Sequence, residues 1–194
     1  MSTLETSDSV TALAAQVEAL AAQVRSLSSR LEAAESHAPS NRLTLLVLSG
    51  DFDKLMVAFM VANGAAAMGT DVSMFFTFWG LCALRKDRQF KGKTVSEKVL
   101  SAMLPSGPDA AATSCFNMAG MGPAFFRSVM KQRNVESLPG LMESAQAMGV
   151  KMIACQTSME IMGIRTEELI DGIEFGGLGV YLGDALDSRT AFLI

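Results

Sequence analysis

Three short stretches without a polar face, Leu43 to Leu48, Val72 to Trp79 and Val150 to Ala154, constrain the fold of this chain more than any other feature. A strand with one wet face alternates polar and apolar residues. A strand that is apolar on both faces belongs in a parallel sheet covered by helices. Ser49-Gly50 closes the first stretch, and Gly149 opens the third by stopping a helix. Helical signals fall between them. Asp51 or Asp53 can cap a helix running to Met68, with Gly69 as its stop. Thr94-Val-Ser-Glu97 is a capping box for a helix to Leu104, and Pro123 suits the first turn of a helix reaching Arg133. Pro139 to Met148 is a further helix, and Leu178, Tyr181, Leu182, Ala185 and Leu186 repeat at helical spacing. Ile173 to Phe175 and Thr190 to Ile194 read as extended. The pattern predicts an α/β fold: a mostly parallel sheet of about five strands, with helices on both faces.

The first 40 residues follow a different period. Val10, Leu13, Val17, Leu20, Val24, Leu27 and Leu31 are spaced by threes and fours without a break, with polar residues and Ala between them. Such a narrow seam suits a coiled coil rather than a core-facing helix. Val at a and Leu at d favour a parallel dimer, and with no polar residue in the seam a trimer stays open. We therefore expect a coiled-coil oligomerisation helix and linker over residues 1–40, with Pro39 in the linker, and an α/β domain over 41–194.

The net charge of −4 gives nucleic acid no electrostatic footprint. One basic cluster, Arg85, Lys86, Arg88, Lys91, Lys93 and Lys98, reads as a solvated loop, with docking of an acidic partner or anion as the sharper alternative. The longest uncharged stretches, Leu55 to Thr70 and Ala110 to Phe126, fall short of the roughly 20 apolar residues of a spanning helix. A mean hydropathy of +0.30 with 14 Met keeps weak membrane association as an alternative to a soluble protein. With three cysteines in no CxxC or zinc pattern, and an acidic start unlike a signal peptide, the expected location is a reducing cytoplasm.

His37, the only histidine, lies in the linker, which removes Ser–His–Asp and Cys–His catalysis and imidazole metal sites. Gly92-Lys93-Thr94 lacks the first glycine of a phosphate loop, since position 87 is Asp. Gly120-Met-Gly122 and Gly176-Gly-Leu-Gly179 lack dinucleotide spacing and read as backbone room beside Cys115 and close helix packing. No cofactor or metal is expected. Cys155 is the candidate that remains. It ends the third apolar stretch, at the strand end where open α/β sheets place ligands, and a helical turn over Thr157 to Met162 would favour its thiolate. The alternative is a buried structural thiol. Cys115 lies in a loop before the Pro123 helix and Cys82 follows Trp79-Gly-Leu81. Met118, Met121, Met159 and Met162 flank the Cys115 and Cys155 loops, either as soft core filling or as an apolar lining for bound sulfur.

The segment Ala154-Cys-x-x-Ser-Met-x-x-Met-Gly-Ile164, with Phe75-Phe-Thr-Phe-Trp-Gly-Leu81, resembles the DsrE/DsrF-like family of small sulfur-relay proteins, in the branch labelled "peroxiredoxin family". Cys115 to Gly122, Ser137 to Leu141, Glu167 to Gly172 and Tyr181 to Ala185 match in family order, so the resemblance runs from about Leu43 to Ile194. It implies an α/β fold and a sulfur atom carried as a persulfide on Cys155, exchanged with rhodanese-like and TusA-like carriers. Cys115 falls in the second glycine-rich block as an accessory thiol, and Cys82 lies outside the motif with a structural role. The implied protein is a homo-oligomeric sulfur carrier. The alternatives are a non-catalytic scaffold subunit organised by the coiled coil and a thiol–disulfide reductase.

Overall fold

The computed structural model describes residues 2–36 and 39–194, with side chains over 13–33, 39–118 and 120–194, so His37 and the side chain of Val10 lie outside the described residues. The chain divides into two units, residues 1–38 and 39–194. The first is one α-helix, α1 (Ser2–Ser36). Its apolar positions from Leu13 to Leu31 are between 59% and 63% exposed, so none is buried in this chain.

The second unit is a five-stranded, all-parallel sheet in the order β4-β3-β2-β1-β5, formed by β1 (Ser40–Val47), β2 (Asp71–Phe76), β3 (Lys151–Cys155), β4 (Glu174–Gly176) and β5 (Ser188–Leu193). The chain steps in one direction from β1 to β4 and then returns across the sheet to set β5 beside β1. Right-handed crossovers put the helices of the two directions on opposite faces. On the first face α2 (Phe52–Ala67), α5 (Leu138–Ala147) and α6 (Gln156–Met162) bury Phe59, Leu138, Met142, Met159 and Met162 against Leu45, Met74, Met152 and Ala154. On the second face α7 (Leu178–Asp187) covers a small cluster of Phe75, Ile153 and Cys155, with Leu46 and Tyr181 packed against it. Asp184 of α7 accepts from Arg42 and Ser73, which ties the helix to the amino ends of β1 and β2. Yet α7 buries none of its own residues, and Leu178, Val180, Leu182 and Leu186 stay exposed. Its helical spacing is as the sequence predicts, and Tyr181 is the member of that set that packs on the buried cluster.

Other boundaries differ in ways that have local causes. β2 ends at Phe76 rather than Trp79, because Thr77 and Gly80 donate their N–H groups to the Val47 and Leu48 carbonyls and wind Phe78–Leu84 into a 3₁₀ turn. Asp51 occupies the N-cap of α2 without a side-chain capping bond; it pairs with Lys54 instead. Thr94 and Glu97 do form the expected capping box at α3 (Val95–Met103). Pro123 falls in the first turn of α4 (Met121–Gln132).

The basic cluster is solvated at Lys86, Arg88, Lys91 and Lys98, which are exposed, but not at its two buried members. Arg85 and Lys93 are buried, and both donate to the buried carboxylate of Glu168, Arg85 at 2.7 Å. Ser101 Oγ accepts from both cations at 3.0 and 3.2 Å, and the Arg165 N–H donates to Glu168. Lys86 pairs with Asp171, and Arg88 donates to the Leu104 carbonyl. Burial pushes the Glu168 carboxyl up, but hydrogen bonds from Lys93, Arg85 and the Arg165 N–H outweigh it and hold the group below its ordinary range. Among the described residues, no helix is long and apolar enough to cross a membrane.

Candidate functional site

The carboxyl ends of β1, β2 and β3 form one rim, since Val47 pairs with Phe76 and Phe76 with Ala154. One residue further on, Thr77 and Cys155 leave neighbouring strands side by side. Thr77 keeps an extended backbone (φ −132°, ψ 155°), so its side chain follows the alternation of β2 and shares the face of Phe75. Cys155 shares that face through Ile153. The run Phe75 to Leu81 has a physical function here. Gly80 approaches Val47 so closely that a Cβ would lie 2.3 Å from its carbonyl oxygen, and a Cβ on Gly50 would lie 2.6 Å from the Trp79 carbonyl. Phe78 turns through φ 44° to make this crossing. The clasp fixes Thr77 at the rim.

Cys155 is also the N-cap of α6, so Ser158 is that helix's third residue. Thr77 Oγ1 and Ser158 Oγ lie 2.7 Å apart, both buried. The sulfur sits where an Asp or Ser side chain usually caps, although no short capping bond closes on it. Burial pushes the Cys155 thiol up. Hydrogen bonding from the Ser158 hydroxyl and N–H, the Thr77 hydroxyl and the Thr157 N–H more than offsets that and holds it below the ordinary cysteine value. The residue is only 5% exposed. Immediately beyond Gln156 a cavity of about 440 Å³ opens between Met159, Glu160, Gly163, Arg165, Glu97 and Phe175.

Cys115 is exposed on the same rim, on a loop held against the start of α2. Asp53 fastens that loop by accepting from the Ser114 N–H at 2.7 Å and its hydroxyl at 2.6 Å. Cys115 lines a cavity of about 350 Å³ with Asp53, Phe116, Gly122, Phe125 and Phe126. A Cβ on Gly122 would lie 1.7 Å from the Phe116 oxygen, so the glycine does give the backbone room there. In the Gly176-Gly-Leu-Gly179 run only Gly176 packs closely, against Val180. Both loops thus reach the carboxyl rim, but they are carried by different elements. Cys82 is buried and its thiol is pushed up to about 11 by burial, consistent with a structural residue. Met159 and Met162 belong to the core, whereas Met118 and Met121 are exposed near Cys115. Among the described residues no cluster of metal-binding side chains occurs.

The sequence and the sheet can be set beside known proteins. The profile of the DsrE/DsrF/DrsH-like family matches residues 39–193, and the chain belongs to that family. It is 45% identical over 156 residues to the uncharacterized protein YrkE of Bacillus subtilis (strain 168), covering 80% of this chain and 98% of YrkE. It is 31% identical over 157 residues to the sulfur carrier protein DsrE2 of Allochromatium vinosum, covering 79% of this chain and 98% of DsrE2. The crystal structure of the ychN protein from E. coli aligns with a TM-score of 0.45 at 16% identity, over 79% of this chain and 99% of that one. The family match begins at residue 39, so α1 lies outside it.

Proposed function

We propose that this protein is a sulfur carrier of the cytoplasm in which Cys155 takes up one sulfur atom as a persulfide and passes it to an acceptor thiol. The observation that carries this reading is the state of Cys155: a strand-end thiol surrounded by hydroxyl and N–H donors and held below its ordinary ionisation range. A thiolate is the form that attacks a donor persulfide, and neither uptake nor handover needs a general base or a cofactor. The relationship to a protein named as a sulfur carrier supports the same chemistry. The partners of this reading are rhodanese-like and TusA-like carriers. Cys115, exposed in its apolar cavity on the same rim, is the accessory thiol.

The exposed seam of α1 supports a homo-oligomer.

The test is intact mass after exposure to a persulfide donor such as glutathione persulfide. Wild type should gain one sulfur atom, lost on treatment with dithiothreitol, and Cys155→Ser should gain none at that position. Equal loading of Cys155→Ser would move the site elsewhere. A wild type that loads from neither persulfide nor polysulfide would overturn the carrier reading.

A further inference from the structure

Thr77 and Ser158 stand 81 positions apart in the chain, yet their hydroxyls meet at 2.7 Å in a buried position beside Cys155. Each hydroxyl has one proton to donate. In a bonded pair one proton is spent between the two oxygens, which leaves the second oxygen's proton for a third acceptor. Strand register puts Thr77 alongside Cys155, and Ser158 lies at the third residue of the helix that Cys155 caps, so the hydroxyl pair stands beside the sulfur, although no capping bond closes on it. Charged groups do not take this part. Glu160 of α6 and Glu174 of β4 are exposed, Asp184 of α7 is engaged by Arg42 and Ser73, and the 3₁₀ turn after Thr77 holds no charged residue. Tyr181 is the titratable side chain packed on the same cluster.

We propose that Thr77 and Ser158 are positioning residues that make Cys155 a releasing site for sulfur rather than a storing one. The proposal rests on the carrier reading above. In the unloaded protein the negative charge sits on Cys155 Sγ, where the hydroxyl relay reaches it. In the loaded protein Sγ is a neutral, divalent sulfur and a weak acceptor, and the outer sulfur lies one S–S bond further away, about 2 Å. The hydroxyls therefore stabilise the empty thiolate more than the persulfide. During handover an acceptor thiolate attacks the outer sulfur of Cys155–S–SH. The new bond joins acceptor sulfur to outer sulfur and the Sγ–S bond breaks. The electron pair goes to Sγ, and the proton stays on the transferred sulfur. One persulfide is exchanged for another, with no outside oxidant or reductant. Whatever stabilises the departing Cys155 thiolate drives this step forward, because a thiol of lower pKa leaves faster and holds sulfur less tightly.

Thr77→Val keeps the shape of the side chain and removes the hydroxyl; Ser158→Ala removes the other; Thr77→Ser restores a hydroxyl without the methyl. Two measurements on the full-length protein test the proposal. The first is the pH dependence of Cys155 alkylation by iodoacetamide, located by peptide mass. The second is the equilibrium fraction of persulfidated Cys155 in mixtures of glutathione and glutathione persulfide. Thr77→Val and Ser158→Ala should each raise the alkylation midpoint and hold sulfur more tightly by roughly tenfold, the scale of a hydrogen bond to a charged group. Thr77→Ser should behave as wild type. Unchanged midpoint and exchange constant in both hydroxyl deletions would overturn the proposal. If the midpoint rises but wild-type Cys155 takes no sulfur at any ratio, the hydroxyls still hold the thiolate, and it is the carrier reading, and release with it, that fails.

Discussion

Glu168 offers the sharpest test of what holds the domain together. Its carboxylate is fully buried and faces two buried cations, Arg85 and Lys93, with Ser101 bridging them. Glu168→Gln keeps the volume and removes the negative charge, which leaves two like charges without compensation in a site shielded from water. Breaking a buried pair this way costs about 3–5 kcal/mol, a large share of the roughly 5–15 kcal/mol that stabilises a typical domain. At about 2–4 °C per kcal/mol for a domain of this size, the melting temperature should fall by about 6–20 °C. Lys93→Met should cost less, since it leaves Arg85 and Glu168 as a neutral pair. Replacing all three with Arg85→Met, Lys93→Met and Glu168→Leu should recover most of the loss, because an apolar triad has no charge to desolvate. It would also remove the buried Arg85 Nε, which has no partner. The pH dependence has a definite sign. A depressed carboxyl contributes stability above its ordinary value of 4.5, and that contribution is lost as pH falls through the folded-state value. Wild type should therefore converge on Glu168→Gln in acid. Urea titration of the four proteins checks both points. A loss under about 1 kcal/mol for Glu168→Gln, or a Lys93→Met variant as damaged as it, would refute the charge accounting.

Two further outcomes follow from exposure. Limiting maleimide at neutral pH should label Cys115 first, with Cys155 slower because it is buried and Cys82 silent until denaturation, as peptide mass mapping would show; rapid labelling of Cys82 would contradict its assignment to the core. Aspartate at both Val17 and Val24 should lower the assembly mass measured by light scattering, since unpaired charge in an apolar seam is costly; an unchanged mass would show that the α1 seam is not an interface.

Strands β1, β2 and β3 were legible because a buried parallel strand leaves an apolar run of the right length, and Gly69 and the Thr94–Glu97 box marked helix ends through local geometry alone. The end of β2 was not legible, because it depends on hydrogen bonds to Val47 and Leu48, about thirty positions upstream. The same holds for Arg85, Lys93 and Glu168: lysines and arginines read as surface until a carboxylate from a distant turn is brought among them. At the site, Cys155 was found from its strand-end position. Thr77 and Ser158 lay inside the matched motifs and still carried no signal of their own, since a hydroxyl acquires its role only when register places it beside the sulfur.

The return of β5 to the side of β1 bears on how the domain is made. Ser40 donates to the Asp187 carbonyl 147 positions later, and Leu43 pairs with Thr190. During synthesis β1 emerges early, pairs with β2 on one edge, and keeps its other edge open until β5 has left the ribosome. Contacts that close so long a loop form slowly, and an unpaired strand edge recruits other chains in the meantime. Strand β1 is thus the most vulnerable one for most of translation, and β5 is the latch that ends the exposure.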